Sequence, residues 1–352
     1  MVSLREAELK ALAVHRVGNK VKNEGYTASN TLFEVDEMMV GILHDYFLSP
    51  FKTEEFFKFS HESDLGMNEV YAYSRNIFEA IATGGLLENS VHILKHLYDV
   101  SSHPQIKSGE LFVAYFKSCY LEDQEMDAIG IFKAEHKDTF LAFDEQVDNV
   151  DMSALQGVNT RKLDKGCMIF NSYADDGYSV LMIDRASEDT RYWREDFLGL
   201  ERIQDNSFQT ESFLNMTRDF CTEVVAQEKD TADQLLFMNK SINFFAQNED
   251  FDLNSYQNEV IENPTLIEQF DQYKKPYEEE QGLNYGDGFT ISKFAVRNKK
   301  REFKNLIKLD NQIEINLKSK DLEYIRQYIE KGFDHDKGLS YYKIYFNQEM
   351  DF

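Results

Sequence analysis

The sequence predicts an α+β protein: an antiparallel sheet with helices packed on one face, a helical middle region and a small C-terminal strand-rich part. Three observations carry that expectation. Stretches near the N-terminus place apolar residues at helical spacing, and from about Glu110 the apolar period changes to two. After residue 207 the helical period returns, and the last sixty or so residues go back to short alternating runs. Only four prolines interrupt the 352 residues, which suits long regular elements.

Taken in order, Lys10–Gly18 reads as a strand of small and β-branched residues closed by Gly18-Asn19. Three helices are expected next. Phe33–Phe47 sets Met38, Met39, Ile42 and Leu43 on one side; Asn68–Thr83 and Leu87–Val100 repeat the spacing with Val70, Ile77, Leu94 and Leu97. Leu111–Tyr120, Ala128–Ala134 and Thr139–Phe143 follow as antiparallel strands, and Asp151–Asp164 reads as a longer connection. Lys165–Asn171 and Gly177–Asp184 form a hairpin around Ala174-Asp175-Asp176-Gly177. A first domain is therefore expected over 1–206.

The second domain is expected over 207–352, helical over 207–280 and basic and β-rich over 289–352. Phe213, Met216, Phe220 and Val224 form one helical stripe, and Leu235, Met238, Ile242 and Phe245 another, with Asp230 or Thr231 as a cap between them. Further helical turns run over Leu253–Glu262 and from Pro264 through Tyr273. Lys274–Gly288 is charged and glycine-containing and reads as a linker. Phe303–Leu309 and Ile313–Leu317 alternate around Asp310-Asn311 as a hairpin; Asp321–Glu330 reads as a helix and Tyr341–Phe346 as a strand.

Composition narrows function by exclusion. With 63 acidic against 38 basic side chains the formal charge is −25, a bulk field that repels nucleic acid and anionic membrane alike. The acidic N-terminus has no apolar signal core, and no stretch approaches the roughly 20 apolar residues of a membrane span. Cys119, Cys167 and Cys221 are odd in number and lie in apolar segments, so reduced buried thiols and a cytoplasmic location are expected.

Motifs for chemistry are sparse. There is no phosphate-binding loop, dinucleotide fingerprint or nucleophile elbow. His92 and His96 stand four apart on a helix, a metal-compatible spacing, yet no third ligand accompanies them and a structural role fits better; His15 reads likewise. Asp127, Glu135 and Lys137 hold the residue types of a divalent-metal nuclease, with acids for Mg²⁺ and a lysine beside the attacking water, at poor spacing. No metal and no cofactor are expected.

One stretch opposes the global charge. Lys293, Arg297, Lys299, Lys300, Arg301, Lys304 and Lys308 stand within sixteen residues against Glu302 alone, seven less one giving +6. Read as a turn at Lys299-Lys300-Arg301 followed by a strand, it makes a cationic ridge suited to phosphates. The competing reading is an edge strand whose lysines prevent edge-to-edge pairing.

The chain also resembles a family, the bacterial nucleoid-associated proteins of the NdpA (YejK-like) type. The likeness is carried by Ala13–Lys20 (AVHRVGNK), Leu94–Glu110, Ala128–Glu135 (AIGIFKAE), Lys162–Asn171 (KLDKGCMIFN) and Arg301–Asp310 (REFKNLIKLD), and it extends over nearly the whole chain. It implies location at the nucleoid, sequence-nonspecific DNA binding and a homo-oligomer; it implies no reaction and brings no catalytic residues. The alternative function is an acidic adaptor that binds a DNA-acting enzyme through tracts such as Glu122–Asp127 and Asp144–Asp151, with no direct DNA contact. The third is the divalent-metal nuclease.

Overall fold

The computed structural model describes residues 2–52, 55–146, 149–185, 191–302, 306–317, 324 and 327–348. The chain divides into two compact units, Met1–Ile203 and Gln204–Phe352. The α+β class expected from the sequence is observed.

The first unit runs β1 (Val2–Ser3), β2 (Glu8–Val17), β3 (Tyr26–Thr27), α1 (Glu37–Leu48), β4 (Phe56–Phe59), α2 (Glu69–Ala80), α3 (Gly85–Val100), β5 (Gly109–Leu121), β6 (Gln124–Ala134), β7 (Lys137–Gln146), β8 (Asn149–Val158), β9 (Lys165–Phe170), β10 (Ser179–Asp184) and β11 (Leu200–Arg202). Nine of these strands form one antiparallel sheet in the order β11-β4-β10-β9-β6-β5-β2-β3, with β1 also on β5. β7 and β8 stand apart as their own two-stranded hairpin.

Alternation along the central strands sends successive side chains to opposite faces, and both faces are apolar. Val113, Tyr115, Ile129, Ile131, Cys167 and Ile169 pack with Val70 and Ile77 of α2 and with Ile93, Leu94 and Leu97 of α3. Their neighbours Ala114, Phe116, Phe132, Met168 and Phe170 pack with Leu43, Tyr46 and Phe47 of α1. Phe47 stacks on Phe132 at 4.3 Å and 7°, and Gly130 is bare because any Cβ there would strike the Phe132 and Phe116 rings. α1 starts later than its apolar pattern suggests, at the Asp36 cap, whose carboxylate accepts the Met39 N–H. Its face is also rotated from expectation: Met38 is 79% exposed and Ile42 46%, because the aromatic pair Tyr46 and Phe47 claims the sheet.

Other features follow the sequence closely. α2 is capped by Asn68, and the β9–β10 turn runs through Ala174–Asp176 to Gly177, whose φ of 98° and closeness to Phe59 exclude a side chain. His15 is buried, taking the Ser29 N–H at Nδ1 and meeting Ser90 Oγ through Nε2. The expected long connection over 151–164 is instead mostly β8, whose alternation is masked by its small and acidic residues.

The second unit comprises α4 (Asn206–Phe220), α5 (Ala226–Glu228), α6 (Thr231–Gln247), β12 (Asp250–Phe251), α7 (Leu253–Tyr256), α8 (Pro264–Gln281), β13 (Phe289–Thr290), α9 (Lys293–Glu302), β14 (Leu306–Lys308), β15 (Glu314–Asn316), β16 (Ile329–Asp334) and β17 (Leu339–Ile344). Phe213 lies at its centre, touching the rings of Phe245, Phe251, Tyr256, Phe270 and Tyr285. Asp230 caps α6 as expected. The linker or loop expected at Lys274–Gly288 is overturned over its first half, where α8 continues through Pro276 to Gln281, and holds from Gly282 on. Tyr273 and Tyr277 hold it there through hydrogen bonds to Glu223 and Asp219, and a Lys274–Glu278 pair spans one turn. The hairpin around Asp310-Asn311 forms as β14 and β15. Of the helix expected over Asp321–Glu330, residues 321–323 and 325–326 lie outside the described residues; Tyr324 is helical, 327–328 form a turn, and Ile329-Glu330 opens β16.

Burial pushes the thiols of Cys119, Cys167 and Cys221 each up to about 12. A raised folded-state value means that their contribution to stability is complete below the ordinary thiol pKa and is lost as pH climbs through the folded value. The native protein should therefore show no thiol reactive toward a colorimetric disulfide reagent at pH 8, and all three after denaturation. Thiolate absorbance should rise together with alkaline unfolding, between about pH 9 and 12; a thiol titrating near its ordinary value in the native state would contradict this burial.

Candidate nucleic-acid interface

Lys299-Lys300-Arg301 do not form a turn, whereas Lys308 lies on a strand as expected, in β14. Lys293–Glu302 is the helix α9. The Ser292 hydroxyl accepts the Ala295 N–H at its start, and Ala295 and Val296 are buried, so the helical period sorts the basic residues by face. The expected turn is overturned for a packing reason: α9 runs through it, and the burial of Ala295, Val296 and Lys299 seats the helix against α4 and α6.

Three of the seven cations are accounted for away from a shared ridge. Lys293 reaches the C-terminal end of α6, where its ammonium donates to the carbonyls of Phe245, Ala246 and Asn248, a favourable position for a cation against the helix dipole. Lys299 turns inward; its side chain is 8% exposed and its Nζ lies 3.2 Å from Glu211 of α4. Lys308 stands opposite Glu314 across β14 and β15, 3.5 Å away in an exposed pair. Lys304 lies outside the described residues.

Arg297, Lys300 and Arg301 remain. They are exposed, spaced i, i+3, i+4 on one face of α9, and among the described residues they form no ion pair. The Arg297 guanidinium lies 5.4 Å from the Phe294 ring centre. Lys300 and Arg301 sit in the last turn, where they also complement the helix dipole. Three cations on one face can meet neighbouring phosphates, a contact that positions a duplex without reading its base edges.

The nuclease set is not assembled. Asp127 lies within β6 and Glu135 directly follows it, and eight residues of extended chain separate them by roughly 26 Å. No single cation can bridge that distance. Asp127 accepts a hydrogen bond from the Tyr115 hydroxyl, and Lys137 lies 2.6 Å from Glu110. The two helix histidines also diverge: His96 pairs with Glu69 and meets the Phe197 carbonyl at 3.0 Å, whereas His92 stacks on Tyr73.

Glu135 belongs to a buried network that sequence reasoning missed. Lys133 and Lys165 face each other on β6 and β9 and are 0% and 1% exposed. Lys133 donates to Glu135 at 2.8 Å, to the Lys107 carbonyl at 2.7 Å and to the Tyr192 hydroxyl at 3.1 Å; Lys165 meets Asp184 at 2.6 Å. Burial lowers the Lys133 pKa, against the pull of Glu135. A lysine inside the apolar run AIGIFKAE was the available signal. Paired and closed from solvent, the two lysines tie the sheet to the Tyr192 turn rather than present charge to a ligand.

These features define a class: an acidic α+β protein with a small cationic helix face and, among the described residues, no cluster of three or more side chains that could hold a metal ion. The model of the family described as nucleoid-associated protein YejK matches residues 13–337 of the 352-residue chain, and the chain belongs to that family. No curated protein matches it.

Lys299 and Lys300 should behave oppositely. Lys299→Ala should lower unfolding stability by about 1–3 kcal/mol, because Glu211 loses a largely buried charged partner. Lys300→Ala should stay within about 0.5 kcal/mol of the parent. Urea denaturation of both variants measures the difference, and equal effects would contradict the inward placement of Lys299.

Proposed function

We propose that this chain is a nucleoid-associated protein that binds duplex DNA weakly and without sequence preference, through Arg297, Lys300 and Arg301. The observation that carries this reading is the segregation of these three exposed cations onto one face of α9 in a chain of net charge −25. Helix periodicity aims them at a common surface, and phosphates are the ligand that three clustered cations bind by releasing condensed counterions. Contacts confined to phosphates position a protein without selecting sequence. Lys308 lies in the same unit and can add to the contact by exchanging Glu314 for phosphate.

A second reading is favoured by the charge balance itself. Lys293 and Lys299 serve the fold, which leaves a small cationic surface on a strongly acidic chain. On this reading the protein is an adaptor that reaches the nucleoid by binding a basic surface of a DNA-acting enzyme.

Gel shift of purified protein with a mixed-sequence duplex separates the two. Direct binding through three phosphate contacts should give a log K against log[salt] slope of about −2.7. The triple reversal Arg297→Glu/Lys300→Glu/Arg301→Glu should abolish the shift, whereas the equally charged reversal Lys22→Glu/Lys52→Glu/Lys95→Glu should leave most of it. Equal losses from both would make bulk charge the cause and remove the α9 assignment. No shift at low salt would leave the adaptor reading.

A further inference from the structure

We propose that a cleft along α6 binds a small amphipathic carboxylate, whose head meets the Lys240 ammonium while its single hydrocarbon chain lies on the apolar floor. The cleft holds about 550 Å³, within the range of small-molecule sites. Asp233, Leu236, Phe237 and Lys240 stand at helical spacing on one face of α6 and form one wall. Val260 and Ile261, from the turn that leads into α8, and Leu266 of its first turn form the other. Phe237, Val260 and Ile261 are buried, and their side chains offer a ligand no hydrogen bond, so the floor suits a hydrocarbon.

The mouth of the cleft selects the head group. Lys240 Nζ lies 2.8 Å from Glu262 on the facing wall, in a pair whose side chains are 25% and 58% exposed. Glu262 is held there on a strained backbone. It is the centre of a three-residue turn with φ 61° and ψ −39°, closed by the Asn263 N–H on the Ile261 carbonyl at 2.6 Å. That hand of γ-turn is rare and costly for a residue with a Cβ. The Glu262 carboxylate thus marks where Lys240 receives an anion, and being mostly in water it is displaced at small cost.

Exchange keeps the charges in balance. Lys229 and Asp233 bring one charge of each sign to the other end of the mouth. A ligand carboxylate that takes the place of Glu262 therefore leaves the charge facing Lys240 as it was, whereas a cation would meet the ammonium directly. From Lys240 back to Asp233 the α6 wall runs seven residues, roughly 10 Å at 1.5 Å per residue. One unbranched chain of medium length is covered over that distance.

Calorimetric titration of the full chain with octanoate, without DNA, tests this independently of the α9 reading. One site per chain is expected, with a dissociation constant between about 0.1 and 1 mM. Octanol, which has the same chain and no charge, should bind at least roughly tenfold more weakly. Lys240→Met should bring octanoate down to the level of octanol and leave octanol unchanged, a split that general damage to the fold would not produce. Glu262→Gln, which removes the resident carboxylate, should tighten octanoate about threefold. Leu266→Trp should fill the floor and abolish binding of both compounds, with circular dichroism reporting intact helices. Vesicles of phosphatidylglycerol should not sediment the chain; sedimentation that Leu266→Trp prevents would make the occupant a membrane lipid and overturn the assignment to a free carboxylate. Equal affinity for octanoate and octanol, octanoate binding indifferent to Leu266→Trp, or no saturable heat through 10-fold above the expected range likewise overturns the proposal.

Discussion

Burial of the central strands on both faces is the constraint on which the first unit depends. Every residue of β9 and the last seven of β6 are buried, so neither face can be left to water. Covering one face takes α2 and α3, and covering the other takes α1 with its stacked Phe47. The same burial explains Lys133 and Lys165. A charged amine inside such a sheet is tolerated only with carboxylates and a hydroxyl closed around it, and Glu135, Asp184 and Tyr192 supply them. The carboxylates nearest the sheet core are thereby committed to holding charge in place rather than to chemistry.

In the second unit, helical periodicity plays the corresponding role. The exposed and buried positions of α9 alternate by turns, so one basic run is divided among three uses. Lys299 completes the contact with α4, Lys293 ends α6, and Arg297, Lys300 and Arg301 are left facing solvent. Had Lys299-Lys300-Arg301 formed the expected turn, Lys299 would not have been carried inward by the helical period and the division would have been different.

Much of the first unit was legible in the sequence because its signals are strong and local. Alternation marked β5 and β6, Gly177 marked the β9–β10 turn and Asn68 marked a helix start, as Asp230 did in the second unit. β8 was not legible, since its exposed, mixed residues need no core pattern, and α8 was misjudged because Pro276 is tolerated where tertiary hydrogen bonds hold the helix. For the candidate interface, the sequence identified the basic stretch but not its partition. Which lysine meets Glu211 and which meets water depends on contacts eighty-eight residues apart in the chain, and composition carries no trace of them.

The acidity of the chain and a role at DNA are reconcilable through distance. At physiological ionic strength the Debye length is about 8 Å, so carboxylates farther away are largely screened from a phosphate seated on α9. Close contact is decided by the three nearest cations; the remaining charge sets how slowly the protein approaches and how readily it leaves. A weak, rapidly exchanging site becomes useful when two copies present it together, because the second contact then occurs at a high effective concentration. Net repulsion would keep a protein of this charge from condensing irreversibly on DNA, while a few phosphate contacts would still let it remain there.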